Sequence, residues 1–136
     1  MKKMEPGYKI ENILLMECNF NRIPNVTFNN DNAENIVNID VNCTVENDKV
    51  FVQETLKFES RNNDVLEVSA TITMLGVFLK VGDVPIALEE FGKVNGAAII
   101  FPYIREQLSN LALKAGLGNV ILPTANFVKM AEDKKV

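Results

Sequence analysis

The spacing of apolar residues changes once along the chain, and this change limits the fold more than any other feature. From Tyr8 to Val81 apolar residues recur mainly at every second position, and from Asn95 to Ala115 at every third or fourth. Period two marks strands with one buried face, whereas steps of three and four place side chains along one stripe of a helix. The chain is therefore a run of strands followed by helices. Short turns between consecutive strands favour antiparallel pairing. The 136 residues, with 47% apolar and 24% charged side chains, fit one folded domain spanning residues 1–136.

The first strand, Tyr8 to Phe20, puts Tyr8, Ile10, Leu14, Met16, Cys18 and Phe20 on one face, with Ile13 and Leu15 as apolar exceptions on the other. Asn21 to Asn32 is a polar loop containing Pro24. Asn35 to Val45 alternates cleanly, the Glu46–Lys49 stretch turns, and Val50 to Phe58 forms a third strand. Arg61-Asn62-Asn63-Asp64 is a second turn, rich in residues that tolerate positive φ. The fourth strand, Val65 to Val81, carries Val68, Ala70, Ile72 and Met74 in phase. It then changes phase near Leu75-Gly76, where a bulge or bend is expected. The result is a four-stranded antiparallel meander.

Asp83 to Val94 reads as an irregular or helical connection. In the long helix, Ala97, Ile100, Phe101, Ile104, Leu108, Leu111 and Ala115 share one face, and Gly116 is the C′ residue. Pro102 either belongs to the first turn or kinks the helix. Leu117 to Pro123 is an apolar loop, and Asn126 caps a short last helix bearing Phe127, Met130 and Ala131.

Several functions are disfavoured. The chain has no histidine, so it lacks the commonest general base and metal ligand. Cys18 and Cys43 are too few for a zinc cluster and read as buried free thiols in a reducing cytosol. Neither a catalytic pair nor a phosphate-binding glycine motif occurs, so no enzyme, metal or cofactor is expected. A net charge of -4 with scattered lysines disfavours nucleic acid. The N-terminus lacks the apolar core of a signal peptide, and the Ala97–Ile104 stretch is too short to insert in a membrane.

What remains is apolar surface in unusual places: the 117–122 loop, Ile13 and Leu15, and the Met74–Leu79 segment, which is apolar on both faces. Two readings are open. These groups are covered by helices, or they form a subunit interface and a hydrophobic binding groove.

The run Ile100-Phe101-Pro102-Tyr103-Ile104-Arg105-Glu106, followed by Ser109-Asn110, Gly116 and Asn126-Phe127, resembles the helix signature of SecB export chaperones. Tyr8-Lys9-Ile10 and Glu17-Cys18-Asn19-Phe20 are similar to that family's first strand, and Gly76-Val77-Phe78 and Gly82 to the end of its fourth. The resemblance implies an α+β fold in which one long and one short C-terminal helix pack on one face of the four-stranded antiparallel sheet. It implies a non-enzymatic cytoplasmic holding chaperone, assembled as a homotetramer (a dimer of dimers), with Ile13 and Leu15 at a subunit interface. Unfolded polypeptide clients would lie in apolar grooves near Phe78, Tyr103, Leu117, Val120, Leu122 and Phe127 and be kept competent for export.

Glu17 matches one acidic position that SecB proteins present to the SecA motor. The fourth-strand acidic position falls at or near Thr71, so that surface is weakened. Alternatives are a dedicated chaperone of one partner, such as an antitoxin, and a small-ligand-binding protein on the same fold.

Overall fold

The computed structural model describes residues 7–26, 33–82, 85–117 and 126–133. Four antiparallel strands, β1 (Tyr8–Arg22), β2 (Ala33–Glu46), β3 (Lys49–Asn62) and β4 (Val65–Lys80), form one sheet. β2, β3 and β4 make the expected meander. Asn47 takes φ 55° in the first turn, and Asn63 and Asp64 take 50° and 67° in the second. Two successive positive-φ residues match the right-handed strand twist, and Asn and Asp adopt them at low cost.

The position of β1 corrects the four-strand meander. The strand order is β1-β4-β3-β2, so β1 lies beside β4 and not β2. Crossing three strand spacings takes roughly 15 Å. The segment from Ile23 to Asn32 can span about 30 Å, whereas the two-residue turns cannot make that crossing.

Pairing also corrects the faces of β1. Its register slips twice against β4, between Ile10 and Asn12 and between Leu15 and Glu17. Glu11 and Met16 are the extra residues, and each inverts the alternation that follows it. Tyr8, Ile10, Ile13, Leu15, Cys18, Phe20 and Arg22 consequently share one face. Ile13 and Leu15 are not exceptions, and Leu14 points to the opposite side beside Leu75. No bulge occurs at Leu75-Gly76. Pairing runs unbroken there, and β4 slips only near Glu67, opposite the step from Ser60 to Arg61. The apparent phase change arises because both faces are apolar at that end. Gly76 and Phe78 face the helices, and Leu75, Val77 and Leu79 face away.

One continuous helical run covers the first face: an α turn, α1 (Leu88–Glu90), a π-helical segment (Phe91–Gly96) and α2 (Ala97–Lys114). It begins before the expected Asn95. In the wider segment the Ala97 N–H reaches the Gly92 carbonyl, five residues back. Pro102 lies inside α2 and not in a first turn. Ala98 and Pro102 are both on the exposed side, where water can replace the bond the ring removes.

Gly116 is the expected C′ residue, at φ 72°. The Leu117 N–H bonds the Ala112 carbonyl at 2.9 Å and the Gly116 N–H bonds that of Leu113 at 3.1 Å, a Schellman closure. Arg22 Nη1 donates to the Ala115 carbonyl, tying this end to β1. The short helix α3 (Phe127–Asp133) is capped by Asn126, whose Oδ1 accepts from the Lys129 N–H at 3.0 Å.

The core lies between sheet and helices. Val50, Val52, Leu56, Phe58, Ala70, Ile72 and Phe78 meet Ile100, Phe101, Ile104 and Leu108. Burying each large side chain is worth about 1.5–3 kcal/mol. The close approach depends on glycines. A Cβ on Gly76 would sit 2.7 Å from Ile100 Cδ1, and one on Gly92 would collide with Cys43 Sγ and sit 2.7 Å from Val50 Cγ1.

Gly92→Ala should therefore destabilise the fold by about 1–2 kcal/mol in urea denaturation, against the roughly 1 kcal/mol that alanine gains as a helix former. Gly7→Ala, which meets nothing within 4 Å, is the matched control. A neutral Gly92→Ala would mean the helix does not pack this tightly.

Candidate functional site

The helical run crosses the sheet diagonally. Its first turns lie over Cys43 and Val50 at Gly92 and over Val52 and Phe78 at Gly96. It then moves toward β1, where Gln107 Nε2 donates to Cys18 Sγ at 3.4 Å and Arg22 meets the helix end. This path leaves a wedge between α2 and edge strand β2. The floor is set by cross-strand rows: Val41, Glu54 and Met74; Ile39, Leu56 and Ile72; Val37, Phe58 and Ala70. Val37, Ile39, Val41 and Cys43 remain only half-buried along its rim.

Among the described residues, α3 occupies the wedge. Phe127 is its one buried residue and meets Phe101 edge-on at 5.8 Å. Met130 and Ala131 line a small cavity with Val41 and Lys93, while Val128 is 53% exposed. A broader groove of about 520 Å³ runs between α3 and the start of the helical run. It is lined by Ala87, Glu89, Glu90, Lys93, Val94, Val128, Ala131 and Glu132.

Glu54 has no counterpart in the sequence reading. It is 0% exposed, on the helix-facing side of β3, and neither carboxylate oxygen has a hydrogen-bond partner among the described residues. Burial alone pushes its pKa up to about 8. The available signal was a glutamate in the apolar phase of β3, between Val52 and Leu56. Nearby, burial and the Glu89 carboxylate raise the Cys43 thiol. A 2.8 Å ion pair with Glu89 holds Lys93 in its charged form.

Among the described residues, no helix covers the opposite face of the sheet. One half is a polar concavity of about 700 Å³ lined by Glu17, Asn38, Asp40, Gln53, Thr55, Lys57, Thr71 and Thr73, in which the Thr55 and Thr73 hydroxyls hydrogen-bond at 2.9 Å. The other half is apolar, with Leu14 paired to Leu75 and Phe51 to Val77.

The expected site residues do not form one surface. Phe78 is 0% exposed beneath the helical run, in edge contact with Phe91 at 5.3 Å. Phe127 is buried in the wedge, Leu117 is half-buried at the end of α2, and Tyr103 is 45% exposed on the outer side of that helix. Val120 and Leu122 lie outside the described residues. Glu17 is exposed at the polar concavity. Ile13 is half-buried and Leu15 is 49% exposed on edge strand β1. Cys18 is exposed and Cys43 half-buried, both free, which corrects the expectation of two buried thiols. Cys18 is uncovered because its strand is an edge. Among the described residues no acidic or cysteine cluster could hold a metal, and no helix is long and apolar enough to cross a membrane.

A sheet with one helix-covered face, an apolar wedge and two long edges defines an α+β scaffold. Residues 2–135 match the model of the family described as "Preprotein translocase subunit SecB", and the chain belongs to the SecB family. This is a family of generally non-enzymatic chaperones. Among solved structures, the chain is similar to the Mycobacterium tuberculosis Rv1957 SecB-like chaperone in complex with a ChAD peptide from the Rv1956 HigA1 antitoxin. The TM-score is 0.73 at 15% identity, covering 88% of this chain and 91% of that one. A Streptococcus agalactiae protein of unknown function aligns at TM-score 0.41 and 12% identity, over 89% of this chain and 100% of the other. No curated protein is significantly similar in sequence.

Glu54 makes stability fall with rising pH. Its folded pKa lies above its unfolded value of 4.5, so between about 4.5 and 8 the folded state holds a proton that the unfolded state has released. The favourable window is below the unfolded pKa, and the loss is complete above about 8. Glu54→Gln should flatten the unfolding free energy between pH 5 and pH 8 by roughly 2–4 kcal/mol relative to the parent, measured by urea titration at each pH. Equal slopes would show that the carboxyl is not desolvated.

Proposed function

We propose that this chain is a cytoplasmic holding chaperone of a single domain, residues 1–136, that binds unfolded polypeptides and keeps them competent for export. The observation that carries the reading is the wedge. It offers a strip of half-buried apolar side chains, Val37, Ile39, Val41 and Cys43, beside a short helix with one buried anchor. Apolar client segments gain by removing that strip from water, and no nucleotide is required. Client contacts are assigned to Phe127 at the wedge, to Tyr103 and Leu117 on and after α2, and to Val120 and Leu122 in the apolar segment after it. Phe78 supports the surface from beneath.

Assembly is assigned to β1. Ile10, Leu14, Leu15 and Met16 are each between 43% and 58% exposed on an edge strand. An exposed apolar edge is a template for pairing. Two copies joined there, with Ile13 and Leu15 at the seam, make a dimer, and two dimers a tetramer whose repeated wedges add avidity. Contact with the SecA motor would use the uncovered face around Glu17. Thr71 stands where the resemblance implies an acid, so that contact is weaker than in an export-dedicated SecB.

The similarity to a chaperone solved with an antitoxin peptide favours a second reading, a chaperone dedicated to one such partner. A dedicated partner peptide would bind far more tightly than generic clients.

The protein should suppress aggregation of a chemically unfolded client on dilution. Leu122→Asp should raise the concentration needed for half-suppression at least about tenfold, the loss expected when a client no longer buries one leucine. No suppression by the parent protein would sink the holding reading. In sedimentation the parent should run as a tetramer or dimer, and Leu15→Lys should shift it to smaller species. A stable parent monomer would remove the role given to β1.

A further inference from the structure

The Glu54 carboxyl sits in a layer that is otherwise apolar. Its neighbours along β3 on that face are Val52 and Leu56, and across the sheet Val41 and Met74, all inside or against the core cluster. An unpartnered buried carboxyl costs several kcal/mol even when neutral. Replacement by leucine would remove that cost, so stability does not account for the residue.

Position supplies an account. Val41, the direct cross-strand partner of Glu54, lines the small cavity with Met130 and Ala131 of α3. The carboxyl therefore lies one strand inward from the rim of the wedge. The helical run packs over Val52, Gly76 and Phe78. On the helix-facing side of β2, β3 and β4, apart from the Cys43 thiol, Glu54 is the only polar side chain among the described residues in the rows of Val37, Ile39, Val41 and Cys43.

We propose that Glu54 is the hydrogen-bonding contact at the floor of the client wedge, taking a peptide N–H of an extended client segment that displaces α3. This rests on the holding reading given above. The occupant follows from the chemistry. A lipid or another purely apolar ligand has no use for a carboxyl. An unfolded polypeptide brings a donor and an acceptor at almost every residue, and those it buries need partners. The half-buried strip of Val37, Ile39 and Val41 accepts the client's apolar side chains, and Glu54 accepts a main-chain donor between them. Because a backbone N–H is common to almost all sequences, this contact adds affinity without selecting a sequence.

The test pairs two probes with three proteins. The probes are a fluorescent apolar peptide of extended conformation and the same peptide N-methylated at alternate residues, which removes backbone donors and keeps the side chains. The proteins are the parent, Glu54→Leu and Glu54→Gln, each checked for folding by circular dichroism and thermal midpoint. The parent should bind the unmethylated peptide about five- to tenfold more tightly than the methylated one, the range of one net hydrogen bond. Glu54→Leu should bind both alike, to within about twofold. Glu54→Gln, which keeps an acceptor, should retain most of the discrimination. If Glu54→Leu fails to fold, Glu54→Met, which also lacks the carboxyl, takes its place with the same expectation. Discrimination by the folded leucine or methionine variant equal to the parent's would overturn the inference while leaving the holding reading intact. Failure of the parent to bind either peptide would overturn both.

Discussion

The close approach of the helical run to the sheet, at Gly92 and Gly96 on the helix and Gly76 on the sheet, is the contact on which the rest of the molecule depends. Without side chains at these three positions, Val50, Val52, Phe78 and Ile100 pack directly against the opposing backbone. The contact fixes where the helix crosses. It starts over the β2–β3 end and leaves toward β1, where Arg22 and the Schellman closure hold its far end. A helix running along β3 instead would have covered Val37, Ile39 and Val41. The diagonal leaves them at the edge of a wedge that only a seven-residue helix fills among the described residues. The wedge and the core packing are thus two results of one crossing.

The two edges of the sheet are built differently. β1 carries two bulges, at Glu11 and Met16, which keep Tyr8, Ile10, Ile13, Leu15, Cys18 and Phe20 on the helix side despite an irregular spacing in sequence. Bulges usually protect an edge from indiscriminate pairing. Ile10, Leu14, Leu15 and Met16 nonetheless remain exposed on this edge. β2 has no bulge and pairs with β3 in unbroken register from Ala33 to Glu46. Its acids, Glu34, Asp40 and Glu46, come with no lysine or arginine. Two antiparallel copies of β2 centred on Asp40 would oppose Glu34 to Glu46, an unfavourable like-charge arrangement. That arrangement disfavours β2 as an edge for pairing with a second copy.

Most of the fold was legible because it rests on local rules. The four strands, both asparagine turns, the Gly116 closure and the Asn126 cap each leave a signature within a few residues. The misread features depend on pairing. Ile13 and Leu15 looked misplaced because a bulge cannot be seen in one strand alone. Leu75-Gly76 looked like a bulge because Val77 and Leu79 are apolar on the uncovered face. The place of β1 beside β4 depends on a crossover whose length permits it but does not dictate it. Of the candidate site, the signature from Ile100 to Glu106 located the scaffold. It could not show that Phe78 is sealed under the helix while Tyr103 points out, since both are aromatic residues in apolar runs.

Glu54 shows where a pattern reading fails for a physical reason. A glutamate between Val52 and Leu56 is normally assigned to solvent by its charge, and alternation is then bent to accommodate it. The register admits no such adjustment, because Val50, Val52, Leu56 and Phe58 hold the same face on both sides of it. The carboxyl is buried because the strand around it is, and its proton is retained because burial disfavours the charge. A protein selected only for stability would lose such a group readily, since many substitutions remove the penalty. The proposed main-chain donor would offset that penalty at a position whose cross-strand partner, Val41, is only half-buried.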